Sequence, residues 1–301
     1  MDAFFSSIPG AAAQGIIWGI MAIGVYITYR ILDFADLTVD GSLATGGAVF
    51  VMCAINGINL YVALFIAFIA GCLAGLVTAI FHTIFGIPPI LSGILTQIGL
   101  YSVNLDILGK ANQPINGTQF NLMVSLRNVK SSIVVGLIFT AIVIAILYWF
   151  FGTELGHSIR ATGNNQNMAR ANGINTKVNT VIALVISNGI VALSGALLAQ
   201  YQGFADVSMG RGAIVIGLAA VIIGEVIFGK IFKNFALRLT AAVIGGIIYY
   251  IAITLVLSLG LPSNDLKLFT AIIVAVFLAI PYWKNGISAK RVKKIGGAEN
   301  A

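Results

Sequence analysis

Long apolar runs broken by short polar punctuation fill this chain. Read by run length and by the Gly, Pro, Asn and Asp residues between runs, they predict nine helical spans, at about 11–33, 41–56, 60–85, 88–108, 131–151, 178–202, 212–229, 236–258 and 266–283. Several approach the roughly 20 apolar residues that a helix needs to cross a bilayer core, and counts from eight to ten suit the same runs. The second run is short for a full crossing. It reads as a tilted, broken or re-entrant helix whose irregular backbone must be covered by protein. The expected fold class is all-α, a polytopic membrane protein forming one transmembrane domain over 1–301.

Against this apolar ground one phrase occurs twice, as Phe34-Ala35-Asp36-Leu37-Thr38 and Phe204-Ala205-Asp206-Val207-Ser208, 170 positions apart. The same offset sets Gly19 opposite Gly189, Ala22 opposite Ala192 and Gly47 opposite Gly217. The register predicts a duplicated architecture of the kind used by transporters, with halves at about 11–151 and 178–283. The alternative is that Asp36 and Asp206 are unrelated helix N-caps, for which Asp is a common choice.

Composition excludes a soluble globular domain. Hydrophobic residues make up 59% of the chain and charged residues 9%, where a soluble protein carries about a quarter charged. The first basic residue is Arg30, so the opening apolar stretch lacks a positive leader and reads as a retained span. Cys53 and Cys72 lie in apolar runs and read as packed thiols. His82 and His157 have no Cys or carboxylate at ligand spacing, so no metal site is expected. No G-x-x-x-x-G-K-[ST] phosphate loop and no nucleophile motif is present. The expectation is therefore no catalytic residue, no cofactor in this chain and no enzyme activity.

The basic residues suggest an orientation. With the 152–177 loop and the 284–301 tail in the cytoplasm, twelve Lys and Arg lie inside against five outside. Topology and anionic lipid headgroups then explain the net charge of +7 without nucleic acid, and Lys290-Arg291-Val292-Lys293-Lys294 reads as a membrane-surface anchor. Five spans separate Asp36 from Asp206, an odd number, so the two halves are expected to have inverted topology. Asp36 would lie toward the cytoplasmic side and Asp206 toward the outer side.

Asp36, Thr38, Asp40, Asp206 and Ser208 are candidates for lining a pathway or gate, and capping is their equally simple role. Gln97, Asn104 and Asn188 join them, because an amide inside a span needs a polar partner or a water-filled path. Glu225 is expected to pair with Lys230 or Arg238.

The loop at 156–174 reads as a short surface helix. Asn164 or Asn165 can cap it, Gln166 to Asn172 can form about two turns, and Gly173 can end it with φ > 0. The run from 155 to 174, with Arg160-Ala161, Gly163, Asn165, Ala169 and Gly173-Ile174, resembles the coupling loop of ATP-binding cassette importer permeases of the branched-chain amino acid and ribose type. The segment at 203–224, with its Phe204 to Gly210 phrase, Gly217 and Gly224-Glu225, is similar to a subgroup of that superfamily.

The resemblance implies a coupling helix seated in an ATPase cleft, carried over to Arg160, Gly163, Asn164, Asn165, Met168, Ala169 and Gly173. It also implies inverted halves, often with ten spans, a homodimer of permeases, and two cytoplasmic ATPase subunits holding ATP and Mg. An extracytoplasmic binding protein would deliver the solute, with 109–130 as its expected dock. The cargo would be an amino acid, aromatic in the subgroup, with sugars or nucleosides as the alternative. The location implied is a bacterial inner membrane with a cytoplasmic C-terminus. An ion-coupled carrier or a passive channel are the rival classes.

Overall fold

The computed structural model describes residues 2–115, 120, 122–258 and eight positions between 268 and 279. The predicted tail and most of the predicted ninth span lie outside the described residues. The helices are α1 (Asp2–Tyr26), α2 (Thr38–Ile55), α3 (Leu60–Thr83), α4 (Pro89–Leu108), α5 (Val129–Phe151), α6 (Glu154–Asn164), α7 (Gln166–Ala171), α8 (Thr176–Gln202), α9 (Ala213–Phe228) and α10 (Phe235–Ser258). A π-helical turn, Ile27–Ile31, continues α1. Two three-residue strands, β1 (Asn112–Pro114) and β2 (Phe204–Asp206), complete the described elements.

The protein is an all-α polytopic membrane protein. Among the described residues, seven helices are long and apolar enough to cross a bilayer, and α9, at 16 residues, is the short counterpart of the predicted run at 212–229. The expected count of nine is not confirmed among the described residues. Helix α9 starts at Ala213, after the positive-φ Gly212, and ends at Phe228 before Gly229, so it stays short of the length a crossing needs.

Helices α1 and α8 cross antiparallel at the centre. The Ser187 hydroxyl donates to the Gly24 carbonyl at 2.8 Å, and the Ser194 hydroxyl donates to the Ile17 carbonyl at 2.7 Å. Moving up one helix thus moves down the other. Gly46 rests on the carbonyl of Ala192 and Gly195 on that of Leu43, so a Cβ at either position would collide with backbone. Only glycine permits α2 to come this close to α8.

The remaining helices follow a paired scheme. Helix α8 packs on α2 and α3 while α1 packs on α9 and α10, and α2 touches α3 as α9 touches α10. Exchanging α1 with α8, α2 with α9 and α3 with α10 maps these contacts onto one another. Helix α4 lies beside α2 and α3, and α5 beside α1. Most of the surface of α4 and α5 faces outward, with apolar residues such as Ile98, Val134 and Ile146 exposed, as membrane-facing helices require.

One element had no counterpart in the apolar pattern. Strand β1 pairs antiparallel with β2, Asn112 opposite Asp206 and Pro114 opposite Phe204. The amide of Met123 also donates to Gln200 Oε1 at 3.2 Å. The long connection after α4 is therefore tied to the end of α8 at two places.

Candidate functional site

The first candidate region is where α2 and α9 begin. After the π-helical turn the chain reverses at Asp33, the one non-glycine described residue with positive φ (55°), and runs back along the protein before α2 starts. This return places Asp36 beside Asn188, near the middle of the 27-residue α8. Asp36 was expected toward one membrane face. The reversal folds it into the interior instead, where it is 1% exposed.

Each acceptor there has a donor. Asp36 Oδ1 accepts from the Thr38 amide at 2.9 Å, capping the first turn of α2, and Oδ2 accepts from Asn188 Nδ2 at 2.7 Å. Asn188 Oδ1 in turn accepts from the Ser42 hydroxyl at 2.6 Å. A hydroxyl chain leaves this knot, with Thr38 and Thr78 at 2.6 Å and Thr78 donating to Thr96 at 2.8 Å. Buried polar groups are tolerated when bonded in this way. Asp36, Thr38 and Asn188 thus join α2, α3, α4 and α8 in one sealed network.

Asp40 has a different task. It sits in the first turn of α2 and reaches across to α9, with Oδ2 accepting from the Gly212 amide at 2.8 Å and Oδ1 from the Ile214 amide at 2.9 Å. Two helix N-termini therefore converge, one held by Asp36 and the other by Asp40, and each acid satisfies orphan amides at the positive end of a dipole. Gly210 lies against the Asp40 carbonyl, where a side chain would not fit.

Beside this junction a cleft of about 260 Å³ opens between α2, α4 and the turn after β2, lined by Asp40, Gln97, Tyr101, Asn104, Val207 and Arg211. The structure so gathers three of the pathway candidates, Asp40, Gln97 and Asn104, at one opening. Asn104 is 1% exposed, and neither of its amide atoms has a partner among the described residues. Sequence reasoning missed Tyr101 and Arg211, whose ring and guanidinium lie 5.7 Å apart. A lone Arg between apolar runs was the available signal.

Asp206 and Ser208 occupy the sheet end. The Ser208 amide donates to Asp206 Oδ1 at 2.7 Å, the Ser208 hydroxyl donates to the same oxygen, and Asn112 Nδ2 donates to Oδ2 at 3.3 Å. Burial pushes the Asp206 carboxyl up, but these hydrogen bonds and the Arg211 charge outweigh it, so its pKa is held below the ordinary carboxylate value.

The second region is the α6–α7 segment, at the opposite end of α8. Asn165 caps α7 as the sequence predicts, its side chain accepting from the Met168 amide at 3.0 Å, and Gly173 ends the turn at φ 77°. Helix α6, capped by Thr153, was not predicted. Its residues alternate at helical spacing between Ile159 and Thr162, which are buried, and exposed polar groups.

Three attachments hold the segment to the transmembrane helices. Asn179 Nδ2 on α8 donates to Ser158 at 2.6 Å and Thr162 at 2.9 Å. Gly163 lies on the Ile31 carbonyl at the end of the π-helical turn, with no room for a Cβ. The Arg160 guanidinium stands 4.4 Å from the Phe235 ring of α10 and 5.5 Å from Phe151 of α5. What remains outward is Asn164, Asn165 and Met168, the last 50% exposed. Ala169 has no exposed surface. It, Arg160 and Gly163 anchor the segment within the chain, while Met168 and the asparagines present it.

Glu225 pairs with Arg30 at 2.9 Å, not with Lys230 or Arg238 as expected. The packing of α9 on α1 brings residue 30 beside residue 225, a contact invisible in local spacing.

A family described as the permease component of branched-chain amino acid transport systems matches residues 7–281. The chain is 44% identical over 274 residues to a tyrosine transport system permease protein of Clostridioides difficile, covering 91% of each. It is 27% identical over 246 residues to the D-allose transport system permease protein AlsC of Escherichia coli, covering 81% of this chain and 70% of that one. A nucleoside ABC transporter permease protein, NupC of Lactococcus lactis, is 32% identical over 192 residues, covering 60% of this chain and 54% of that one.

Proposed function

Because the chain belongs to the branched-chain amino acid transport permease family of ATP-binding cassette importers, we propose that it forms the path for an aromatic amino acid. The observation carrying this is the 44% identity with a tyrosine transport permease over nine tenths of both chains. An external binding protein delivers the solute, and a separate ATPase with ATP and Mg drives it. Two copies of this chain, joined to two such ATPases in a bacterial inner membrane, make the complete pathway.

In this mechanism α7 is the coupling helix. Met168, Asn164 and Asn165 meet the ATPase, and the anchors at Gly163, Asn179 and Arg160 pass its movement to α1, α8 and α10. A rigidly tied helix can act this way, because interfaces switch between packings instead of deforming smoothly. The two halves are inverted repeats, a reading supported by the antiparallel α1 and α8 and by the exchanged contact scheme. The segment 152–177 and the C-terminus lie in the cytoplasm, and the sheet end faces outward. The cleft at Asp40, Gln97 and Asn104 borders the path, and its polar walls suit transient solute contact without a fixed charge trap.

The 27% identity to an allose permease and the 32% identity to a nucleoside permease support a second reading, sugar or nucleoside cargo. Family membership leaves an ion-coupled carrier or passive channel without support. The test is uptake of labelled tyrosine, ribose and a nucleoside by proteoliposomes holding this chain with its ATPase and binding protein. Tyrosine accumulation that requires internal ATP is the expected result, and ATP-driven accumulation of sugar or nucleoside alone refutes the cargo. Met168→Asp, at an exposed position, should weaken ATPase attachment by about tenfold or more, as loss of an apolar interface anchor does. Unchanged attachment and uptake would remove α7 from the coupling role.

A further inference from the structure

A second cleft, of about 860 Å³, lies apart from the one at Asp40, Gln97 and Asn104. It opens at the α6–α7 end, between the end of α1, the face of α6 and the start of α10, and four basic residues line it, Arg30, Arg160, Lys233 and Arg238, against one acid, Asp33. Arg30 is neutralised by Glu225. Among the described residues, Arg160, Lys233 and Arg238 have no carboxylate within salt-bridge distance. Burial pushes the Arg160 pKa down from its ordinary value, and the Arg238 charge adds to this while Tyr26 opposes it. A group of cations this close, set into a concave wall, calls for an anion.

The residues flanking these cations say what kind of anion. Ile231, two residues before Lys233, is 71% exposed, and Leu237, next to Arg238 in the first turn of α10, is 42% exposed. Tyr29 on the other wall is also exposed. A soluble ion would leave this apolar border in contact with water. An amphiphile would place its charge in the cleft and its chains along the border, as anionic lipids do in basic pockets between membrane helices.

We propose that this cleft holds the phosphate headgroup of an anionic phospholipid, with Lys233 and Arg238 as its principal cationic partners and the acyl chains running past Ile231. The inference rests on the orientation proposed above, which puts the cleft at the inner leaflet. Bound there, the lipid would join α10 to α6 and brace the segment that carries α7.

The full chain would be reconstituted in nanodiscs of phosphatidylcholine with phosphatidylglycerol, and retained phosphatidylglycerol would be measured by native mass spectrometry. Lys233→Gln with Arg238→Gln should lower retention about fivefold for each charge removed. Lys233→Arg with Arg238→Lys should retain the lipid, and so should neutralising Lys290, Arg291, Lys293 and Lys294, which separates this cleft from general attraction to a basic tail. Undiminished retention in the Gln variant overturns the proposal, as does displacement of the lipid by millimolar inorganic phosphate, which would mark a free-anion site. ATPase co-purification, read on the same samples, tests the importer reading separately. Its absence would leave the lipid result standing.

Discussion

Asp36 and Asp206 sit in matching phrases and make the same bond, from the amide two residues on to carboxylate Oδ1, at 2.9 Å and 2.7 Å. Their surroundings then diverge. Asp36 is locked against Asn188 in the middle of α8, whereas Asp206 lies partly exposed beside β1. A short polar phrase therefore determines its own turn, because the acceptor and the amide are two residues apart. It does not determine its depth. That depends on whether the chain leading into it doubles back along a helix, as at Asp33, or the phrase itself pairs with another strand, as at Phe204–Asp206.

Removing each carboxylate tests this contrast. Asp36→Ala leaves the buried Thr38 amide without its acceptor and Asn188 Nδ2 with only the Leu184 carbonyl, and should cost roughly 2–3 kcal/mol, because an unmet buried donor is expensive. Thermal unfolding of the detergent-solubilised chain would measure it, and a Tm equal to the parent would mean the network is not structural. Asp40→Ala uncaps α9 and should cost about 1–2 kcal/mol, with hydrogen exchange rising first at Gly212 to Ile214. Exchange confined to α2 would assign Asp40 to the wrong helix. Asp206→Ala should cost about 0.5 kcal/mol, since water can replace a cap at a partly exposed site. An equal loss at Asp36 and Asp206 would abolish the distinction between the two phrases.

The smallest effect is that of pH on Asp206. Its folded pKa is depressed, so the stability it contributes is present above the unfolded carboxylate pKa and is lost as pH falls through the lower folded value. Acidification below about pH 4 should loosen the β1–β2 pairing, seen as faster exchange at Asn112 and Val207. A pairing that tightens in acid would reverse the sign of the shift.

Much of the α7 cap was legible because it is local. Asn165 and Gly173 lie at the spacing that a single helical turn needs, and each acts on its own neighbours. The anchor at Gly163 was not legible, since its reason is the Ile31 carbonyl, 132 residues away in the chain. The family resemblance set Ala169 among the coupling residues, but the helical turn points it inward. At the cleft, the sequence offered Asp40, Gln97 and Asn104 as separate polar exceptions, and only the packing of α2 on α4 brought them together.

By itself the sequence determined the solvent, the helical class, the eight apolar runs that the described residues contain and the repeated phrase. These follow from composition and short-range periodicity, which a bilayer reads one helix at a time. Tertiary structure alone decided that Arg30 meets Glu225, that β1 finds β2, and that one of two like acids is sealed while the other stays open. Those outcomes depend on which backbones can approach, at Gly46 and Gly195 above all, and such approach is a property of two distant segments together.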